Sequence, residues 1–239
     1  MPAKLTKAAK VPARKAKPLI PGASKANQSL TGRAYSELEE LIVTLQLAPG
    51  SAVSEAELSQ RLGIGRTPIR EALQRLARER LVTILPRRGI VVSEINVKSQ
   101  LRLLEVRREV ERLVARSAAR RSTPEERKRF AGIAREFEKS ARSNDAVTFM
   151  RIDREFNELS VSVARNEFAA GAMGLMHSLS RRFWFLHYRQ AADMPLTAKL
   201  HADIARAIAA ADEAGAGRAM DRLLDTIETF TRATVSTDF

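Results

Sequence analysis

Residues 65–92 read GRTPIREALQRLARERLVTILPRRGIVV, and this stretch decides the fold of the N-terminal part of the chain. Its first half predicts a helix, because Pro68 suits the first helical turn, where its missing N–H costs nothing. Apolar side chains then recur at three- and four-residue spacing. Its second half is rich in β-branched residues on both sides of a glycine, which is typical of a β-hairpin. A helix followed directly by a hairpin indicates a recognition helix with a wing.

The predicted helix has two chemically different faces. Ile69, Leu73 and Leu76 form the stripe that we expect to be buried. The opposite face carries hydrogen-bonding side chains at i, i+4 and i+8, which are Arg66, Arg70 and Gln74. Such a face is suited to the edges of base pairs in a major groove.

The preceding residues predict the rest of a helix-turn-helix. Apolar spacing predicts a first helix over residues 30–47, which Pro49-Gly50 ends. Ser54-Glu55-Ala56-Glu57 is a capping box that opens a short second helix, and Gly63 ends it. Together with the recognition helix and the hairpin, these elements predict a winged helix-turn-helix.

The charge distribution points to a polyanionic partner. The 239-residue chain has 41 Lys and Arg against 28 Asp and Glu, a formal net charge of +13. Eight arginines lie between Arg61 and Arg88, where the acids are Glu71 and Glu79 alone. Such clusters usually bind phosphate, so double-stranded DNA is the predicted partner.

This region resembles a known family. The resemblance is carried by residues 65–76, by Leu81-Val82 and by residues 86–92, and it is to the DNA-binding domain of GntR-type bacterial transcriptional regulators. It implies DNA contacts from Arg66, Thr67 and Arg70 and from the wing-tip pair Arg88-Gly89. Gln74, on the same helix face, and Arg87, beside the wing tip, complete the predicted DNA-binding set.

Two residues depart from the family pattern. Ala56 stands where some members have a DNA-contacting arginine, and Arg80 replaces the glycine that usually ends the recognition helix. We expect Arg80 either to adopt a left-handed conformation at a cost of about 1 kcal/mol or to let the helix end differently.

Composition also sets the domain boundaries. Residues 1–28 are basic and almost free of large apolar side chains, so we expect a disordered arm, either a solubilising tail or an extra phosphate contact. The predicted winged helix occupies residues 29–95, and residues 96–239 are expected to form a second domain. The chain has no cysteine, and its apolar runs are too short to span a membrane, so a cytoplasmic protein is expected.

The second domain is predicted to be all-helical. Six apolar stripes of helical period follow residue 96, and no run there indicates a strand. One stripe contains Leu113 and another ends at Leu186. A bundle of about six helices therefore follows the winged helix, and the fold class is mainly α.

Three polar residues interrupt these stripes and are expected to point inward, namely Arg107, Asp153 and His201. Buried ions need partners, so these residues meet either each other, as in an Arg107–Asp153 salt bridge, or a ligand. Neither alternative is excluded by the sequence.

The second domain resembles the effector-binding domain of the FadR-like branch of GntR regulators, called FCD. The resemblance is carried by residues 105–111, 153–157, 165–166, 201–204 and 219–224. Many members hold a divalent metal with an Asp and three His, and the matching positions here are Asp153, Asn157, His201 and Leu223. Since Leu223 cannot coordinate a metal, we expect at most a weak site at Asp153 and His201, completed by water or His187. The favoured alternative is a metal-free pocket of Arg107, Asp153, Asn157 and His201 that holds a carboxylate on Arg107.

These observations predict a dimeric DNA-binding transcriptional regulator whose helical domain senses a small metabolite, an organic acid. A homodimer is expected because two recognition helices on a two-fold axis read a palindromic operator. One alternative is a constitutive DNA-binding protein with a degenerate sensor. The other is a metal-dependent enzyme built on Asp153 and His201, although no P-loop or nucleophile elbow is present in the sequence.

Overall fold

The computed structural model describes residues 29–87, 89–143, 145–191 and 193–235. The predicted arm, residues 1–28, and the wing-tip residue Arg88 lie outside them. The N-terminal elements, in chain order, are α1 (Leu30–Val43), β1 (Ala52–Val53), α2 (Glu55–Leu62), α3 (Arg66–Arg78), β2 (Val82–Leu85) and β3 (Gly89–Val92). This is the predicted helix-turn-helix with a hairpin wing.

The wing forms an antiparallel sheet with strand order β1-β3-β2. The two-residue strand β1 was not expected from the sequence, and it pairs Ala52 with Val91 and Val53 with Ile90. The first helix also ends earlier than predicted, at Val43 rather than near residue 47. Leu45 has a φ of 58°, outside the helical region, which frees the chain to turn back toward β1.

A left-handed residue follows each of the two helices of the helix-turn-helix unit. Gly63 closes α2 with a φ of 64°, and the Ser54 hydroxyl accepts a hydrogen bond from the Glu57 N–H at the other end of that helix. Arg80 follows α3 with a φ of 60°, which confirms the left-handed alternative. An arginine therefore adopts the conformation that glycine usually supplies.

The C-terminal elements are all helices in the part of the chain that the structure describes. They are α4 (Val97–Arg121), α5 (Pro124–Ser143), α6 (Ala146–Ala164), α7 (Glu167–Ala191), α8 (Met194–Ala209) and α9 (Glu213–Val235). Helix α5 packs against α8, and α4 packs against α9. The fold class is thus confirmed as a winged helix-turn-helix followed by an all-helical bundle.

Two predicted core residues of the bundle are instead exposed. Leu113 on α4 and Leu186 on α7 keep 47% and 39% of their surface. The helical period put both residues on an apolar stripe, but in the described residues no neighbouring helix buries these two side chains. Within the described residues, no helix is long and apolar enough to cross a membrane.

Helix α7 joins the two halves of the molecule. It contacts α1, and Leu179 packs against the hydrophobic core of the winged helix. The halves therefore share a packed junction in addition to the connection between β3 and α4.

Candidate nucleic-acid interface and ligand cavity

The predicted reading face of α3 is exposed. Ile69, Leu73 and Leu76 are at most 2% exposed and pack in the winged-helix core. The side chains on the opposite face are open to solvent, and they are Arg66, Thr67, Arg70 and Gln74. Burial of the apolar stripe therefore orients the four predicted DNA-binding side chains outward.

Arg70 is held in a fork by a residue of α2. Its Nε donates to Glu55 Oε1 at 2.9 Å and its Nη2 to Glu55 Oε2 at 2.7 Å. The hydrogen bond from Arg70 lowers the pKa of Glu55, which favours the charged form of the carboxylate. This two-bond geometry restricts the Arg70 side chain at the surface and leaves Nη1 free of Glu55.

A polar network attaches α3 to α1. The Tyr35 hydroxyl donates to Glu79 Oε2 at 2.7 Å, and the Arg75 guanidinium lies 3.6 Å from the centre of the Tyr35 ring. Arg75 also donates to Glu79 Oε1 at 3.0 Å. Burial, followed by the bond to Glu79, raises the pKa of Tyr35, which therefore remains a neutral donor. Polar contacts therefore join α1 to the C-terminal end of α3.

The wing carries the second group of predicted contacts. Arg87 is exposed and has a φ of 62°, and Gly89 pairs with Leu85 at a φ of 94°. A side chain at Gly89 would meet the Val53 carbonyl oxygen at 3.3 Å, so glycine suits both the turn and the close strand β1.

The helical half contains a cavity of about 460 Å³, within the size range of small-molecule sites. Arg107, Asp153, Asn157 and His201 all line it. Large apolar side chains supply much of the remaining wall, among them Phe149, Phe156, Phe183, Trp184, Met220, Leu223 and Phe230. The structure therefore brings together the four residues that the sequence predicted as an effector site.

Arg107 has a different partner from the one considered in the sequence. Its Nε donates to Glu111 Oε1 at 2.5 Å, one helical turn along α4, and the two side chains are 11% and 6% exposed. The suggested Arg107–Asp153 salt bridge is wrong, because Asp153 is engaged elsewhere. In the described part of the chain, the two terminal nitrogens of Arg107 make no hydrogen bond, so they remain available in the cavity.

Asp153 is paired with His201. The His201 Nε2 lies 3.3 Å from Asp153 Oδ1, and its Nδ1 lies 2.8 Å from the Thr197 carbonyl oxygen. The carbonyl oxygen and the carboxylate can both only accept, so each ring nitrogen of His201 faces an acceptor. Burial acts to raise the pKa of Asp153, but the hydrogen bond and charge of His201, with more distant His177 and Arg181, lower it to about 2.

The donor set does not fit a tightly held metal ion. Asp153 and His201 offer two donors, whereas Asn157 turns its amide nitrogen toward Asp153, at 3.0 Å from Oδ1. Leu223 lines the cavity with a side chain that has no donor atom. His187 packs on the Phe183 ring, with centroids 4.6 Å apart. In the described ranges, no group of three His, Cys, Asp or Glu side chains surrounds a possible metal position.

Among the further polar residues that line the cavity, the sequence did not identify Glu111, His177 and Arg181 as site residues. Burial lowers the pKa of His177, which favours its neutral form. His177 and Arg181 lie four residues apart on α7, beside the apolar stripe, and that spacing is the one signal that could have identified them. The side chain of Arg181 also reaches Glu39 of α1.

An apolar surface lies outside the cavity, on α4 and α7. Val106 and Leu113 on α4 and Phe168 and Leu175 on α7 are between 47% and 82% exposed. Each pair is spaced seven residues apart, so its members share a helix face, and the two helices contact each other. An exposed apolar surface of this kind is typical of a protein interface.

A winged helix with an outward arginine face, joined to a helical domain, defines a DNA-binding regulator. Residues 102–226 match the model of the FCD domain, and residues 30–92 match that of bacterial regulatory proteins, gntR family. The chain therefore belongs to the GntR family of transcriptional regulators and carries a metabolite-sensing FCD domain.

Named relatives agree with this assignment. The chain is 26% identical over 200 residues to the HTH-type transcriptional repressor RspR of Escherichia coli, covering 84% of this chain and 88% of the relative. It is 47% identical over 62 residues to an HTH-type transcriptional regulator of Streptomyces ambofaciens, covering 26% of each chain. The E. coli McbR/YncC structure has the same fold, with a TM-score of 0.75 at 17% identity over 87% of this chain and all of that one.

Proposed function

We propose that this regulator binds a palindromic operator as a homodimer in the cytoplasm. Helix α3 enters the major groove, and the wing contacts the adjacent backbone. The DNA-binding residues in this proposal are Arg66, Thr67, Arg70, Gln74, Arg87, Arg88 and Gly89. Residues 29–95 form the DNA-binding domain, and residues 1–28 add phosphate contacts that carry no base information.

The second copy of the chain covers the apolar surface of α4 and α7. This surface includes Phe168, which is 82% exposed and would gain the most from burial. Dimerisation through the helical domain, residues 96–239, would place two winged helices on one two-fold axis. A change in the bundle would then alter the spacing of the recognition helices and hence the affinity for DNA.

We further propose that the effector is a small organic acid bound by Arg107. The observation that carries this proposal is a buried guanidinium that lines a ligand-sized cavity, is fixed by Glu111 through Nε and keeps two terminal nitrogens unpaired among the described residues. A carboxylate on those nitrogens would form charge-assisted hydrogen bonds in an apolar surrounding, where they are strong. Asp153, Asn157 and His201 would select the rest of the acid by its polar groups.

The effector proposal can be tested with the whole protein and a panel of small acids, namely lactate, succinate, malate, citrate and benzoate. At least one acid should raise the melting temperature of the wild type. The Arg107→Gln/Glu111→Gln double variant, which buries no unpaired charge, should lose that stabilisation. Arg102→Gln, an exposed position on the same helix, should retain it.

The same experiment separates the alternatives. If none of the five acids binds and none changes the affinity for DNA, the effector proposal is wrong and the constitutive DNA-binding protein is favoured. Genome-wide footprinting supplies the operator sequences for the DNA measurements. The metal-dependent enzyme is not favoured, since the family and the named relatives are transcriptional regulators.

A further inference from the structure

Arg181 lies at the junction between the cavity and the DNA-binding domain. Its Nη1 donates to Glu39 Oε1 of α1 at 2.8 Å, and the two side chains are 12% and 5% exposed. The next residue, Arg182, donates through Nη2 to the Ser93 carbonyl oxygen, in the segment between β3 and α4. This part of α7 therefore makes polar bonds to two segments of the N-terminal half.

The same Arg181 side chain also lines the cavity. Its Nε is buried and has no hydrogen-bond partner in the described part of the chain. A buried N–H donor without a partner is unfavourable and is rare in native structures. The charge of Arg181 reaches Asp153 and His177, since it acts on the pKa of both cavity groups. The wall of the cavity therefore contains a cationic side chain whose Nε donor is buried and unsatisfied in the described part of the chain.

The planar guanidinium of Arg181 can contact Glu39 and a ligand carboxylate through different nitrogen atoms. Nε and Nη2 form one edge of the planar group, and this edge accommodates a carboxylate with two parallel bonds. Glu39 binds at Nη1 and leaves the Nε–Nη2 edge free of that contact. One Arg181 side chain can therefore hold an acid on one edge and Glu39 at Nη1.

Glu39 lies on α1 and is the residue of the DNA-binding half that Arg181 contacts. It lies outside the cavity lining and is 4% exposed. Its neighbour Leu38 packs with Ile69 and Leu73 of α3 in the winged-helix core. Helix α1 is also bonded to α3 through Tyr35 and Glu79. A continuous chain of contacts thus runs from the cavity through Arg181 and α1 to the reading helix.

We propose that Arg181 is a second acid-binding residue of the cavity and that it couples the bound acid to α3 through Glu39. The inference rests on the proposed function, because it requires that the cavity bind an acid. A bound carboxylate shares the positive charge of Arg181 with Glu39 and so changes the strength of the bond to α1. By linkage, DNA that displaces α1 changes the affinity for the acid by the same factor.

The first test measures acid binding by calorimetry, using the acid of the five-member panel that binds the wild type most tightly. Glu39→Gln should tighten binding roughly three- to tenfold, because it removes the anion that shares the positive charge of Arg181 with the bound acid. Adding Arg181→Met to that variant should weaken binding roughly 10- to 100-fold relative to Glu39→Gln alone. The double variant buries no unpaired charge, and a cooperative melt verifies that it folds.

Two matched controls exclude a general field effect. Glu40→Gln removes a charge at the next residue, and Arg154→Met removes a cation on α6 that also interacts with Glu39. Neither residue lines the cavity, so both variants should bind the acid like the wild type. If Glu40→Gln tightens acid binding as much as Glu39→Gln does, the specific role of Arg181 is overturned. It is also overturned if Arg154→Met weakens acid binding as much as Arg181→Met does.

The second test measures coupling to DNA. Glu39→Gln should still bind the acid but should lose most of the acid-induced change in operator affinity that the wild type shows. A full acid response in Glu39→Gln would overturn the coupling.

The outcomes distinguish failure of the role of Arg181 from failure of the proposed acid site at Arg107. If the Arg107→Gln/Glu111→Gln variant loses binding while Arg181→Met in the Glu39→Gln background does not, only the role of Arg181 is overturned. If none of the five acids binds the wild type, the proposed acid site fails, and the role of Arg181 fails with it.

Discussion

Two Arg–Glu pairs, one in each half of the molecule, have the same chemistry and opposite exposure. Arg70–Glu55 on the winged helix joins side chains that are 61% and 29% exposed. Arg107–Glu111 in the bundle joins side chains that are 11% and 6% exposed. Water screens the first pair, so it contributes little to stability and remains free to exchange Glu55 for a base or phosphate. The second pair depends on its partner for charge compensation, so disrupting it affects folding as well as binding.

The largest expected effect comes from breaking the buried pair alone. Arg107→Ala leaves Glu111 buried without a partner, and we expect a loss of about 3–5 kcal/mol in the free energy of unfolding. Denaturant unfolding measures this loss, with Arg70→Ala as the matched exposed variant, which should leave the free energy of unfolding nearly unchanged. Equal losses in the two variants would refute the distinction between the pairs.

For DNA affinity, we expect the exposed arginines of α3 to matter, although they contribute little to stability. Arg66→Ala and Arg70→Ala should each lose about 1–3 kcal/mol of specific operator affinity, because each would remove a proposed base contact from an exposed position. Operator titration measures the loss, and Arg129→Ala, exposed on α5, serves as the control. Unchanged affinity in both arginine variants would place the reading surface elsewhere.

A third prediction concerns acid stability. The folded-state pKa of Asp153 is about 2, below its ordinary value of 3.8, so its charged form stabilises the fold above about pH 4. This contribution, about 2 kcal/mol, is lost as the pH falls from about 4 to about 2. The free energies of unfolding of the wild type and Asp153→Asn should differ clearly just above pH 4 and converge as the pH falls toward 2. A difference that grew between pH 4 and pH 2 would contradict the assigned charge state.

The basic arm should have a smaller effect, confined to the slope of affinity against salt. Deleting residues 1–28 should make the slope of log affinity against log salt shallower by about 0.9 for each phosphate that the arm neutralises in the full-length protein. The ratio of specific to non-specific affinity should stay the same, since phosphate contacts carry no base information. An identical slope in the deleted protein would show that the arm does not touch DNA.

The smallest expected signal is the metal content. With Leu223 in the cavity wall and Asn157 turning its amide nitrogen toward Asp153, protein prepared without chelator should contain little bound metal. Elemental analysis measures the ratio directly. Zinc or nickel at close to one ion per chain would contradict the two-donor description of Asp153 and His201.

The sequence alone determined the features that depend on near neighbours. Helical spacing predicted the recognition helix with its outward Arg66 and Arg70. The predicted capping box opens α2, where the Glu57 N–H donates to the Ser54 hydroxyl at 3.1 Å. The inward direction of Arg107 and His201 also followed from spacing, because a side chain that interrupts an apolar stripe shares its face. The resemblance to GntR and FCD domains, which the family models confirm, supplied the architecture.

Only the tertiary structure decided which distant residues meet. Arg181 and Glu39 are 142 positions apart, and no local pattern links them. The early end of α1, the strand β1 and the exposure of Leu113 likewise depend on how the chain turns back and which surfaces are covered. The pairing of Asp153 with His201 rather than Arg107 was settled by the packing of α6 against α8. Periodicity fixes the face on which a side chain lies, whereas its partner depends on the position of a second helix, which sequence spacing does not encode.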